Sequence, residues 1–359
     1  MSKRSLTVFL LAATLTFADD HKIHQPKLTP QNSNTTNGLI AVSPVNEHVV
    51  WASGRNGTFV RSTDGGKTWT SGVVAGAETL QFRGLYAVSD RVAYLQSIGN
   101  NTTDFRIYKT TDAGATWTMQ FQNQNPGAFY DCIAFWSPRR GLSHSDSVNG
   151  VFPELRTTDG GRHWNDISAN MPPALPGEAS FAASNTCLTT QGEHNAWIAT
   201  GGSTTARILA TTDGGDTWNA YDTPLVSSPS AGAFTVAFRN ANHGIVGGGD
   251  LDPTDPNNAR TATSSDGGRT WTLTNAPPVT GAIFGLAYAS GGRQEGEGED
   301  STNRSVVVTA DTGGAAWTPD EGQTWFAFNG VNGFWAVAFA SPKAGWLVGI
   351  NGTILKISF

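Results

Sequence analysis

The 359-residue chain is short of charge: Asp, Glu, Lys and Arg make up only 14% of it. No stretch sustains an apolar residue at helical spacing, which excludes a helix-built fold. There is no run of Lys or Arg and the formal net charge is −6, a poor footing for a polyanion binder, so no nucleic-acid partner is expected. One apolar run, Leu6 to Phe17, is shorter than the ~20 residues a membrane helix needs, and no later segment is apolar enough to span. Lys3 and Arg4 precede that run and Thr16-Phe17-Ala18 follows it, so residues 1–18 read as an export signal cleaved before Asp19. The alternative is a disordered tail. Cleavage takes the formal charge from −6 to −8 and implies a secreted or periplasmic protein. There are only two cysteines, Cys132 and Cys187. An exported chain commonly pairs them, but the required Cα separation is not legible in sequence, so a disulfide and two free thiols both stay open.

What is abundant is turn and aromatic chemistry: 42 Gly, 17 Pro and 12 Trp, the composition of many short strands joined by tight turns. One phrase recurs six times. Ser62-Thr63-Asp64-Gly65-Gly66-Lys67-Thr68-Trp69 is the first, and Asp112, Asp159, Asp213, Asp266 and Asp320 each again precede a Trp by five residues. Successive Asp residues are 48, 47, 54, 53 and 54 apart, and a unit of about 50 residues signals a propeller or solenoid array. An Asp side chain can accept hydrogen bonds from its own loop, Gly supplies positive φ, and the Trp buries a large apolar face in the following strand.

Upstream of each box lie two apolar strands, for example Phe234–Phe238 with Gly244–Gly248. The order inner, second, third, Asp-box hairpin, outer makes a four-stranded blade. After the last box the phrase returns as Phe334–Ala340, Gly345–Gly349 and Thr353–Ser358 and then lacks an outer strand. Residues 23–31 supply it. The expectation is one all-β domain over 19–359: a seven-bladed β-propeller of four-stranded antiparallel blades, closed by an N-terminal strand in the last blade and acting as a monomer.

These repeats resemble the Asp-box (BNR-repeat) propellers: sialidases, xyloglucanase-type glycosidases, sortilin-like receptors and the photosystem II stability/assembly factor family. The last is closest in style, through its compact blades, export signal and inner strands such as Phe334-Trp335-Ala336-Val337-Ala338-Phe339-Ala340-Ser341. The resemblance covers residues 37–359 and implies the fold; the box itself is silent on chemistry. The sialidase Phe-Arg-Ile-Pro phrase has only a near match, Phe105-Arg106-Ile107-Tyr108, ahead of the second box, so no sialidase catalytic residue carries over. The xyloglucanase-type enzymes are larger double propellers.

In such a blade the inner strand runs from the top face to the bottom, which places every box Asp and Trp on the bottom as structure. Top loops between second and third strands are tight in blades 1, 6 and 7 and long in blades 2 to 5: Ile98–Asp104, Ser145–Pro153, Gly201–Ala206 and Asp250–Ala259. Extra loop length on one side serves binding, so a cleft walled by blades 2 to 5 is the expected site. Its candidate binding residues are Arg83, Tyr130, His144, Arg207 and Asp250. Asp131, Asp146 and Glu178 are candidate carboxylates for glycosidic acid/base chemistry. The alternative is that these groups only bond water and neighbouring loops.

Asp250-x-Asp252-x-x-Asp255 has hard oxygen ligands but lacks the Glu and Gly of a helix-loop calcium site; no metal or cofactor is assigned. Glu295–Asp300 reads as a solvated bottom loop of blade 6. Asn34, Asn56, Asn100, Asn101, Asn303 and Asn351 fit the glycosylation acceptor. Two functions follow: a binding or assembly-factor-like propeller holding a protein or carbohydrate on its top face, and a glycan-active hydrolase or lyase using a carboxylate-lined cleft there.

Overall fold

The computed structural model describes residues 25–252, 254, 259–290 and 303–359. The expected export signal, the acidic run Glu295–Asp300 and Asp255 lie outside them. The described residues form seven four-stranded antiparallel sheets, each in the order inner, second, third, outer. Blade 1, for instance, is Leu39–Pro44, Val50–Gly54, Thr58–Ser62 and Thr70–Val73. Short 3₁₀ turns such as Thr102–Asp104 are the only helical pieces among the described residues, and no helix there is long and apolar enough to cross a membrane.

The ring closes as the sequence implies. Lys27–Asn32 pairs along Thr353–Ser358, from Lys27 opposite Ser358 to Asn32 opposite Thr353. It also reaches both neighbouring blades. Trp69 Nε1 of blade 1 donates to Gln31 Oε1 at 3.2 Å, and Trp317 Nε1 of blade 6 donates to Gln25 Oε1 at 3.1 Å.

Each Asp box is a small network. Ser62 Oγ donates to Asp64 Oδ1 and accepts from Gly66 N, while Asp64 accepts from Thr68 N at 2.9 Å and Thr68 Oγ1 at 2.6 Å. A Ser or Thr two residues before the Asp repeats this at Thr110, Thr157, Thr211, Ser264 and Thr318. These bonds favour the carboxylate and pull Asp64, Asp112 and Asp159 down to about 2. The residue after the Asp then ties the hairpin to the loop between the first two strands: Gly65 N donates to His48 O, Gly160 N to Arg139 O and Gly267 N to Asn242 O. Boxes and these loops therefore share the bottom face. The box indoles differ in their hydrogen bonding. Trp271 Nε1 donates to Gly268 O, but Trp117, Trp164 and Trp218 are packed without an acceptor among the described residues.

Apolar side chains fill the wedges between blades. Between blades 4 and 5, Trp197 stacks on Phe238 with centroids 3.6 Å apart, and Trp271 meets Phe238 edge-on. Burying a large apolar side chain stabilises by about 1.5–3 kcal/mol. Cys132 and Cys187 form a disulfide across a Cα separation of 6.1 Å that joins blades 3 and 4 near the axis. Cys132 lies in the inner strand Tyr130–Phe135, whereas Cys187 sits just ahead of its own, Leu188–Gln191.

Candidate functional site

The inner strands carry a repeated irregularity that builds the top mouth. Pairing with the second strand shifts register between Leu39 and Ala41, Phe82 and Gly84, Tyr130 and Cys132, Ala233 and Thr235, and Phe334 and Ala336. A bulge leaves one residue out of the ladder and re-aims its side chain. The skipped residues are Ile40, Arg83, Asp131, Phe234 and Trp335, one per blade at one level of the ring. Phe284 occupies the same place in blade 6, immediately before the inner strand Gly285–Tyr288.

An aromatic arc runs through blades 4 to 7. Phe181 stacks on Phe234 at 3.8 Å, Phe234 lies parallel to Phe284 at 6.0 Å, and Phe284 meets Trp335 edge-on at 5.2 Å. Two cations continue it: the Arg83 guanidinium lies 5.2 Å and that of Arg55 5.8 Å from the Trp335 ring centre. Arg55 is exposed, and Arg83 and Trp335 are half-buried. Arg83 also donates to Ala182 O at 2.6 Å. Burial and the Arg55 charge pull its guanidinium below the ordinary value, against the opposing charge of Asp131.

Asp131 and Asp146 form a carboxyl pair beside this arc. Asp131 is 1% exposed and receives no donor side chain among the described residues; the group that faces it is Asp146, which accepts from Ser180 N at 2.8 Å. Burial raises both, Asp146 to about 6, and the adjacent Asp146 charge raises Asp131 further. Burial and mutual repulsion therefore disfavour ionising both carboxyls of the pair.

The other sequence candidates are engaged with other partners. Glu178 is buried and fully engaged: Arg207 grips both its oxygens, and Thr200 Oγ1 and Leu175 N donate to it at 2.6 and 2.7 Å. His144 and Glu154 are directly opposed on neighbouring strands and completely buried, with His144 Nδ1 2.7 Å from Glu154 Oε2. Burial holds His144 neutral, down to about 3, and raises Glu154. Tyr130 is 5% exposed and packs edge-on against Phe121. Asp250 accepts from Ser230 Oγ at 2.9 Å and from Asp252 N. No group of three His, Cys, Asp or Glu among the described residues is placed to hold a metal.

The long loops of blades 2 to 4 are present, that of blade 5 lies largely outside the described residues, and the mouth itself draws on all seven blades. Arg55 and Trp335, from blades 1 and 7, were not among the sequence candidates. Aligning the inner strands on their small-aliphatic-small-aromatic phrase would have put Arg83, Asp131, Phe234, Phe284 and Trp335 in one column.

The segment before the inner strand of blade 4 crosses the channel axis. Ala182 O meets Arg83 of blade 2, Ser184 Oγ donates to Phe284 O of blade 6, and Asn185 Nδ2 donates to Leu85 O and Ile133 O of blades 2 and 3. Asn185 does this at φ 67°, a left-handed conformation Asn tolerates. Below it, on the Asp-box side, lies a cavity of about 560 Å³.

The BNR/Asp-box repeat model matches residues 60–71, the first box. No curated protein matches the sequence. Among solved structures, YCF48 bound to a D1 peptide is similar with a TM-score of 0.64 at 16% identity, over 94% of this chain and 96% of that one. YCF48 from Cyanidioschyzon merolae gives 0.61 at 17% identity, over 92% and 98%. The GH74 enzyme of Niastella koreensis gives 0.59 at 16% identity over 91% of this chain, which spans only 53% of that enzyme. At such identities the shared property is the fold: an Asp-box seven-bladed propeller.

Proposed function

We propose that the chain is an exported propeller that binds a polypeptide segment in its top mouth. The observation that carries this reading is the ring of bulged residues. It sets the Phe181–Phe234–Phe284–Trp335 arc beside Arg55 and Arg83, a combination suited to an apolar side chain and a carboxylate of one extended chain. A propeller of the same fold described as bound to a peptide and the resemblance to assembly factors support it. Selecting a displayed random peptide library against the mature protein tests it. Fluorescence polarisation of the selected peptides should weaken roughly tenfold or more in Trp335→Ala and Arg83→Gln. An empty selection, or peptides indifferent to both substitutions, would refute the reading. Export is checked by the N-terminal residue of the secreted protein, expected to be Asp19.

A glycan-active reading rests on one observation, the buried carboxyl pair of Asp131 and Asp146 at the mouth. Against it, glycosidic carboxyls flank the bond about 5–9.5 Å apart, whereas these two touch, and Glu178 is committed to Arg207. If a polysaccharide panel nevertheless reveals turnover, the isosteric amides Asp131→Asn, Asp146→Asn and Glu178→Gln should lower it about 100-fold where the residue is acid or base. Turnover surviving in all three removes this assignment.

A further inference from the structure

The dipeptide Asn-Gly occurs six times, beginning at Asn37, Asn56, Asn149, Asn329, Asn332 and Asn351, and the fold treats the six differently. In this pair the backbone nitrogen can reach the preceding side chain, because Gly has no Cβ to crowd the approach. Four of the six are held. Gly57 N donates to Leu80 O and Gly333 N to Asp311 O, each at 2.8 Å. Asn37 is bonded at both ends of its amide, donating to Thr58 Oγ1 at 2.7 Å and accepting from Asn56 Nδ2 at 2.9 Å. Gly352 is buried against the Thr35 carbonyl.

The other two are open. Asn149-Gly150 is the tip of the blade 3 top loop, in a hairpin turn bridged by Val148 and Val151 with φ 52° and 82°, the I′ geometry that favours Asn-Gly. Gly150 is fastened through its carbonyl, which accepts from Ala174 N at 3.0 Å. Asn329-Gly330 lies in the turn closed by Val331 N to Phe328 O at 3.1 Å, ahead of the blade 7 inner strand that carries Trp335. All four residues are exposed. Neither glycine nitrogen and neither Asn side chain has a hydrogen-bond partner among the described residues, and a Cβ at either glycine would meet nothing within 4 Å.

We propose that Asn149 and Asn329 are sites of self-modification by deamidation, which places new carboxylates on the top rim. The glycine nitrogen attacks the Asn Cγ. The N–Cγ bond forms, the Cγ–Nδ2 bond breaks, and ammonia departs with the proton the glycine nitrogen carried. The cyclic imide then takes up water, which opens it at either carbonyl to aspartate or isoaspartate. Each event turns a neutral amide into a negative charge. The inference is independent of the peptide-binding reading.

Ageing the purified protein in mildly alkaline buffer and mapping its peptides by mass spectrometry tests it. Asn149 and Asn329 should convert about tenfold faster or more than Asn56 and Asn332, whose glycine nitrogens must first give up a backbone hydrogen bond. Isoelectric focusing should show new acidic bands, absent when Asn149→Gln and Asn329→Gln are combined, and an isoaspartyl methyltransferase should label the same two positions. In urea, where no fold holds the glycines, the four rates should converge. No conversion at Asn149 and Asn329, equal rates at all four in the native protein, or a difference that persists in urea would overturn the proposal.

Discussion

Asp131, bulged out of the inner strand Tyr130–Phe135, and Asp146, one residue past the second strand Gly141–Ser145, bring their carboxyl groups together at the top mouth. A carboxyl whose folded pKa is raised contributes fully below its unfolded value. It loses that contribution as pH rises through the folded one. For Asp146 the window runs from 3.8 to about 6, and Asp131 extends it upward. Asp131→Asn replaces one carboxyl of the pair with an uncharged amide. It should raise the melting temperature by roughly 2–5 °C at pH 8 and change it little at pH 4. Thermal melts at the two pH values check this; an equal shift at both contradicts it.

The Asp boxes behave oppositely. Their carboxylates are held down to about 2 by hydrogen bonds from Thr and backbone groups, so their contribution is present above 3.8 and lost as pH falls through about 2. Cooperative acid unfolding is expected below pH 4. Asp266→Ala, which leaves Thr270 N and Oγ1 without their acceptor, should lower the melting temperature by about 2–4 °C, and less at pH 2, as followed by circular dichroism.

Closure makes the N-terminal strand structural. Deleting residues 1–32 removes the partner of Thr353–Ser358 and the acceptors of Trp69 and Trp317, and exposes a strand edge. Such a protein should melt well below the mature one and aggregate, while deletion of 1–18 should change nothing. Coincident melts for the two truncations would count against the closure.

The disulfide closes a loop of 55 residues, worth up to about 4 kcal/mol in chain entropy. Thiol titration of unfolded, unreduced protein should find no free thiol. Cys132→Ala with Cys187→Ala should lower the denaturation midpoint without altering the native circular dichroism spectrum.

The fold was legible because its punctuation is local: an Asp, a Gly and a Trp at fixed offsets declare each hairpin, and six hairpins plus one unfinished blade count to seven. An N-terminal closing strand was legible by elimination, placed at residues 23–31 where the structure has Lys27–Asn32, since nothing else completes Thr353–Ser358. The mouth was harder. Whether Asp131 or Trp335 faces the channel depends on a bulge that shifts register by one residue, which alternation alone does not reveal. His144 and Glu178 read as rim residues because they end or precede strands, yet each found a buried partner: Glu154, set opposite His144 by strand register, and Arg207, 29 residues on from Glu178. The crossing path of Ser184 and Asn185 depends on blade 4 giving up the start of its inner strand, a tertiary event with no local signal.

That crossing path also has a mechanical meaning. A closed ring of similar wedges has one soft deformation, flattening into an oval, because each wedge touches only its two neighbours. Ser184 and Asn185 work as a spoke: one end is fastened at Phe284 on blade 6 and the other at Leu85 and Ile133 on blades 2 and 3. Stretching the ring along the line from blade 6 to blades 2 and 3 pulls on these bonds, so the hub resists that deformation.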